Sequence, residues 1–358
     1  MLAVVKRGPG PGIGVEEVPD PEPGPGEVLV RVRAAAICGS DLHMWAGHSG
    51  YEWVQYPLIP GHEVTGVIVA TGAGVPRERV GERIVVNPYV PCGRCSACLS
   101  GSPQLCDGGG SAMEKVPARS LQIGFRRPGG FAELVTVPAT SAVPLPEGLG
   151  FREAAPLEAF AVAVHAVELC SVRPGDRVAV LGPGPIGLGV VLALAGMGLE
   201  LLILAGLSSD AARLARGRDL GATHTAFVDE VDLAQYVAAL TGGAGLDAVF
   251  DATGNPAAVG PAIRSLRRGG ELVLVGISGR PAELPLNQIV RGEIVLRGSY
   301  GITPRSLQRA AAMVASGRAP LGRLVTHVLP LSEAASAFEL AHSAQAGKVL
   351  LAPVPEEV

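Results

Sequence analysis

Six cysteines, and the residues around them, carry most of the chemistry that this sequence could support. Four of them fall within fifteen residues, Cys92-Gly93-Arg94-Cys95-Ser96-Ala97-Cys98 and then Cys106, in the spacing C-x2-C-x2-C-x7-C. Four thiolates that can reach one point suit a tetrahedral Zn2+. An all-cysteine set leaves no coordination position open, so this loop reads as a structural site. A reaction needs an open site, and Cys38 and the pair His62-Glu63 lie upstream. A cysteine, a histidine and a carboxylate are suitable donors for a zinc that keeps one position free for substrate. A third constellation, Gly182-Pro183-Gly184-Pro185-Ile186-Gly187, has the form G-x-G-x-x-G between an apolar run and a helical one. Its first glycine permits a tight turn, its second the approach of a pyrophosphate, and its third close helix–strand packing. The phosphate charge then rests on free N–H groups at the helix N-terminus.

These groups must be held by two kinds of architecture. From residue 1 to about 150 the chain is dense in short alternating segments between Gly and Pro. The clearest are Glu27 to Ala34, Glu63 to Ala70 and Ala132 to Val137, the pattern of a barrel-like β domain. From about residue 155 strands alternate with Ala/Leu/Gly-rich helical stretches. Strands are expected at Arg177 to Leu181, Glu200 to Ala205, Ala248 to Asp251 and Leu272 to Val275. Helices are expected at Ile186 to Met197, Asp210 to Leu220, near Leu233 to Leu240, and at Ala257 to Leu266. Repeated βα alternation predicts a doubly wound parallel sheet, so the fold class is α/β with a separate β-barrel domain. After about residue 293 the texture is mixed again, with a helix near Ser306 to Ser316 and a last strand at Lys348 to Leu351.

Composition narrows the functions. The 358 residues leave room for two domains and a large core. A net charge of −4 without basic runs, and 4% aromatic residues, argue against nucleic acid as a partner. Six cysteines in a chain of this length make a poor disulfide framework, and their clustering fits metal binding in a reducing compartment. Residues 1–9 carry charge too early for a signal peptide. Gly182-Pro183-Gly184-Pro185 would break the apolar run from Val178 to Leu207, so no membrane span is expected there, and the protein is expected to be cytoplasmic.

Cys38-Gly-Ser-Asp-Leu-His43, Gly61-His-Glu63, the four-cysteine loop, Gly129-Gly-Phe-Ala-Glu133, the glycine loop and Gly347-Lys-Val-Leu350 together resemble the zinc-dependent medium-chain dehydrogenases of the alcohol, polyol and threonine dehydrogenase group, over essentially the whole chain. The resemblance implies a GroES-like catalytic domain at 1–154 and 294–358, a Rossmann cofactor domain at 155–293, and an active site between the two. It implies two zincs per chain. Cys38, His62, Glu63 and Glu158 match the positions around the catalytic ion, and Cys92, Cys95, Cys98 and Cys106 the structural one. Ser40 and His43 resemble a relay that carries a proton from the substrate to solvent, and Asp41 a residue that orients a metal ligand. Gly182, Gly184, Pro185, Ile186 and Gly187 would meet the pyrophosphate. Gly206 and Arg213 would lie near the adenosine ribose, and Val275, Gly276, Ile277, Ser299 and Tyr300 near the nicotinamide. No Asp or Glu stands at the tip of the second strand, so discrimination against a 2′-phosphate should be weak; NAD is expected, with NADP as the alternative.

In that family zinc acts as a Lewis acid on a substrate hydroxyl, and the nicotinamide takes the hydride. A secondary alcohol or polyol is the expected substrate, with L-threonine the alternative. Met44 and Ser299 stand where polyol dehydrogenases carry an aromatic residue and an arginine. A zinc-free quinone or enoyl reductase shares the fold but would lack the Cys38, His62 and Glu63 set, and a non-catalytic member would tolerate loss of Ser40 or His43. His165 and Cys170 read as packing residues, and His48, His224, His327 and His342 as surface or structural ones. A homo-oligomer, dimer or tetramer, is expected from the resemblance.

Overall fold

Strand β3 organises the first half of the chain, because its register decides which distant residues meet. A computed structural model describes residues 1–48, 50–106, 122–343 and 346–358. In chain order the strands are β1 (Leu2–Val5), β2 (Gly14–Glu17), β3 (Glu27–Ala36), β4 (Glu63–Thr71), β5 (Arg83–Val86), β6 (Leu134–Pro138), β7 (Ala142–Pro144), β8 (Arg177–Leu181), β9 (Leu201–Gly206), β10 (His224–Phe227), β11 (Leu246–Asp251), β12 (Leu266–Leu274), β13 (Val295–Gly298), β14 (Val325–Pro330) and β15 (Lys348–Ala352). Two compact units result, Met1–Ala159 with Thr303–Val358, and Phe160–Ile302.

The first unit holds a seven-stranded sheet in the order β14-β15-β3-β4-β5-β7, with β6 pairing β3 and a separate β1–β2 ladder. Along β3, Val28, Val30, Val32 and Ala34 are buried while Arg31 is exposed, the period-two pattern of a strand with one apolar face. That face meets Ile68, Ile84, Val135, Phe131 and Phe338 in the core. The register sets Glu63 opposite Ala36 on one side of β3 and Leu350 opposite Ala36 on the other. Residues 38, 63 and 348 are thereby delivered to one end of the sheet.

The second unit is a six-stranded parallel sheet in the order β10-β9-β8-β11-β12-β13. It is the doubly wound order expected from the βα alternation, with its switch point between β8 and β11. Val180, Ile203, Val249 and Leu272 are fully buried, as strands covered on both faces require. The apolar run from Val178 to Leu207 resolves into β8, the helix Pro185–Leu194 and β9. Among the described residues no helix is long and apolar enough to cross a membrane.

Two boundaries differ from those expected. The first unit gives way at Phe160, not at 155, because the first turn of the helix Leu157–Glu168 still packs with it. It resumes at Thr303, not at 294, because β13 adds a parallel strand to β12, with Glu271 opposite Val295 and Leu274 opposite Gly298. The helix expected to reach Met197 ends at Leu194, and Gly196 and Gly198 follow at positive φ. Strand β12 starts at Leu266, six positions before the expected Leu272, through a polar Arg-Arg-Gly-Gly-Glu stretch that hides its period. The short strand β10 was not anticipated.

Candidate active site and metal centres

Cys38 caps the helix Gly39–Ala46 in an extended conformation, and its amide donates to Asp41 Oδ2 at 2.9 Å. This turn fixes the direction of the Cys38 side chain. His62 is placed by a different device. Gly61 sits at φ 91°, and a Cβ there would meet the ring of Phe131 at 2.7 Å, so only glycine allows the loop to lie against Phe131. Backbone bonds from Gly130 N to Gly61 O (2.8 Å) and from Phe131 N to Pro60 O (3.1 Å) lock the two segments together, and the His62 ring rests against Phe125 with centroids 5.0 Å apart. Those contacts give the strings Gly61-His-Glu63 and Gly129-Gly-Phe131 their structural reason.

Donor atoms of Cys38, His62 and Glu63 lie within 4.8 Å of one another. His62 and Glu63 are buried, and His62 Nδ1 and Glu63 Oε2 have no hydrogen-bond partner. Unpaired buried donors and acceptors carry a free-energy cost of about 1–3 kcal/mol each, so the group is built for something to be added. A divalent cation suits a thiol, an imidazole and a carboxylate that converge on one point. Its electrostatics agree. Burial by itself lowers the His62 pKa, but the charges of Asp41, Cys38 and Glu158 outweigh it and hold the value at about 10. The pocket draws positive charge. Asp41, whose Oδ1 lies 3.8 Å from His62 Nδ1, is pushed up by burial more than His62 and the Cys38 amide hold it down. Asp41 therefore serves the helix cap by a hydrogen bond, and faces His62 at longer range.

Glu158 stands in the first turn of the helix Leu157–Glu168 and is buried, not solvated. Burial raises its pKa to about 7, against the pull of His62 and with the push of Glu63. Its carboxylate is outside the 4.8 Å trio. The residue that sequence reasoning passed over is Lys348. Its Nζ donates to Glu63 Oε1 and, at 3.1 Å, to Ile37 O. Burial lowers the Lys348 pKa, yet Glu63, by its charge and hydrogen bond, together with the charges of Cys38 and Glu158, outweighs this, and the ammonium stays charged. The string Gly347-Lys-Val-Leu350 held the signal, but a lysine is no metal donor and drew no role. Ser40 Oγ is buried without a partner. His43 is exposed on the same helix, and partial desolvation, followed by the charge of His48 and His342, lowers its pKa.

The sulfurs of Cys92, Cys95, Cys98 and Cys106 also lie within 4.8 Å of one another, with Cys95 Sγ 3.5 Å from Cys98 Sγ, and none forms a disulfide. Hydrogen bonds from the amides of Arg94 and Cys95 bring the Cys92 thiol down to about 6, whereas burial and Cys95 push Cys98 up to about 12. A cluster in which one thiolate forms easily and the next resists suits a cation that neutralises the whole set.

The second unit gathers the remaining candidates at the carboxyl ends of parallel strands. Gly182 follows β8 at φ 91°, and a Cβ on Gly187 would fall 1.8 Å from Gly182 O, which demonstrates the close packing expected of the third glycine. Gly184 caps the helix Pro185–Leu194 in an extended conformation and has open space where a Cβ would stand, while Pro185 fills the first helical position and Ile186 the next. Gly206 ends β9 against Pro183. Beyond it Ser208 bonds Asp229 through N (2.9 Å) and Oγ (2.5 Å), and Arg213 lies 3.6 Å from Asp210. The amides of Val275 and Gly276 bond Asp251 O at 2.8 and 2.9 Å, Ile277 is exposed, and Ser299, with a buried unpartnered Oγ, precedes Tyr300 after β13. These loops border the crevice where open α/β sheets take dinucleotides. Among the described residues no other histidine joins either donor cluster. His165 is buried in its helix with its pKa lowered by burial, and the Cys170 thiol is pushed up to about 12 by burial and Glu271.

Comparison with known proteins fits this geometry. The family described as alcohol dehydrogenase GroES-like domain matches residues 24–147, and that described as zinc-binding dehydrogenase matches 185–316. Sorbitol dehydrogenase of Bacillus subtilis (strain 168) is 34% identical over 315 residues, 87% of this chain and 85% of that protein. Among solved structures, the alcohol dehydrogenase rspB of Escherichia coli CFT073 with NADH superposes at a TM-score of 0.89 with 29% identity, over 98% of this chain and 99% of that one. A zinc-binding dehydrogenase of Sinorhizobium meliloti 1021 bound to NADP gives 0.87 and 32%, over 98% and 99%.

Proposed function

The chain belongs to the zinc-dependent medium-chain dehydrogenases, and from that premise we propose that it oxidises a secondary alcohol or polyol by hydride transfer to NAD(P). One observation carries the reading: a thiol, an imidazole and a carboxylate converge within 4.8 Å, with buried atoms left unpartnered. Cys38, His62 and Glu63 would hold the catalytic zinc with Glu158 as the further carboxylate beside it, and Cys92, Cys95, Cys98 and Cys106 the structural zinc. The catalytic ion supplies Lewis acidity that eases ionisation of a hydroxyl, and the nicotinamide supplies the hydride acceptor.

The chain's own residues do the rest. Lys348 holds Glu63 by a hydrogen bond to Oε1, and Asp41 rigidifies the turn that presents Cys38. Ser40 Oγ, which has no other partner, takes the hydroxyl proton and passes it to a His43 ring nitrogen. Because the His43 pKa lies below its ordinary value, the ring is neutral near pH 7 and free to accept. The glycine loop from Gly182 to Gly187 receives the pyrophosphate, and Val275, Gly276, Ile277, Ser299 and Tyr300 bound the nicotinamide side. NAD is the primary cofactor, since neither Arg213 nor Ser208 is free of an acidic partner to greet a 2′-phosphate. The protein works in the cytoplasm, where free thiols survive to bind metal, and as a homo-oligomer.

Two measurements test this. Metal analysis should return two zincs per chain, and one zinc confined to the cysteine loop would favour a zinc-free reductase. A panel of secondary alcohols, polyols and L-threonine, followed by absorbance of the reduced nicotinamide with NAD or NADP, should give turnover on the alcohols and polyols. Turnover confined to L-threonine would move the assignment to a threonine dehydrogenase.

A further inference from the structure

His43, exposed on its helix, is paired with a second histidine. Its Nδ1 lies 2.9 Å from Nδ1 of His48, with the two ring centroids 5.2 Å apart and the planes tilted by 47°. A local turn makes this pairing. Gly47 ends the helix Gly39–Ala46 in the left-handed region at φ 72°, and the amide of His48 then bonds His43 O at 3.0 Å. The chain folds back so that residue 48 lies beside residue 43. Tyr51 also stacks with His43, at 6.0 Å and 25°. From the helix Ala334–His342, His342 reaches Trp45 at 5.9 Å and its charge bears on His43. The titratable groups facing His43 are thus His48, Tyr51 and His342. Among the described residues no carboxylate forms an ion pair with either ring of the His43–His48 pair.

Two Nδ1 atoms at this distance can bond only if one carries the hydrogen and the other a lone pair, so the rings hold opposite tautomers. Two protonated rings would set N–H against N–H. The pair therefore accepts one extra proton readily and resists a second. Such a pair conducts. A proton arriving at Nε2 of His43 makes an N–H bond there, the Nδ1–H bond of His43 breaks, and a new N–H bond forms at Nδ1 of His48. His48, which is exposed, then gives its Nε2 proton to water. One proton enters and one leaves, with no change of oxidation state, and exchange with water resets the tautomers.

We propose that His48 is the solvent-side outlet of the proton path, receiving through His43 the proton lost by the substrate hydroxyl. This rests on the dehydrogenase reading above, in which His43 is the inner base. His48 touches neither substrate nor cofactor, so it acts through His43.

The test uses the zinc-loaded enzyme with His48→Gln, which keeps hydrogen-bonding atoms but cannot carry a proton. At low buffer concentration kcat should fall about tenfold, within the range of proton-transfer catalysis, with KM for the alcohol unchanged and with added imidazole restoring the rate. A second readout is independent of turnover. In ring-nitrogen NMR of the metal-free protein, the wild-type pair should titrate in two separated steps, and His43 in His48→Gln in a single step. Independent, single-step titration of both rings in the wild type would overturn the proposal. So would a His48→Gln enzyme whose rate and buffer response match the parent while His43→Gln is slow. If His43→Gln is also unaffected, the proton path assigned to this site falls together with its outlet.

Discussion

Cys38→Ser and Cys95→Ser remove the same atom from two sites with opposite tasks, and they should separate cleanly. At Cys38 the thiol belongs to a trio beside unpartnered buried atoms, so its loss should bring turnover to background while the melting temperature stays within about 2 °C of the parent. At Cys95 the thiol belongs to a closed set of four that ties a loop together. Its loss should lower the melting temperature by about 5 °C or more, because a structural zinc contributes directly to folding. Calorimetry and steady-state rates on both variants check this, and equal unfolding by both without a specific loss of turnover would refute it. The cysteines, His62 and Glu63 were legible in the sequence because metal donors announce themselves by type and spacing. Lys348 was not, since it lies 285 positions from Glu63 and only the flanking of β3 by β4 and β15 joins them. His48 was passed over for a different reason. A lone histidine after a glycine has no pattern, and it was the left-handed turn at Gly47 that gave it a partner.

Among the elements, the glycine loop makes the sharpest distinction. A methyl group on Gly187 would press to 1.8 Å from Gly182 O, whereas one on Gly184 meets nothing within 4 Å. Gly187→Ala should therefore destabilise the Phe160–Ile302 unit by about 1–3 kcal/mol, the usual range for overpacking. Gly184→Ala should leave the melting temperature near the parent's and raise KM for the cofactor severalfold, because the methyl occupies the approach to the helix N-terminus. Denaturation curves and cofactor titrations read the two effects separately, and an unchanged KM in Gly184→Ala would place the pyrophosphate elsewhere. Here the sequence was most readable. Strands such as β8 and β9 are continuous apolar runs, and the glycine punctuation falls at their ends. It was least readable where a strand lies at an edge or starts in polar residues. β10 has four residues, and the first half of β12 is Leu-Arg-Arg-Gly-Gly. Pairing with a neighbour, and not local propensity, makes those segments strands.

At the scale of the whole molecule, β13 is the outer strand of its sheet and Val295 on it is exposed. Leu286 and Val290, on the helix Leu286–Gly292 just before it, are exposed as well, at 66% and 74%. An apolar edge of this kind is what a second copy of the chain would cover. Assembly through this edge predicts that Val290→Asp shifts the protein toward monomer in sedimentation without changing its circular dichroism, and an unaltered mass would refute that contact. A last consequence follows from the position of β15 between β14 and β3. A ribosome delivers Cys38, His62 and Glu63 early, but Lys348 only after the entire Phe160–Ile302 unit has emerged. That inserted unit is contiguous and can complete itself during translation. The metal pocket cannot, because Glu63 has no countercharge, and the Ala35–Ala36 end of β3 no partner besides β4, until the closing strands arrive. A chain interrupted before Lys348 would present the ligands without the balance that buries them, so the ion is best taken up by finished molecules.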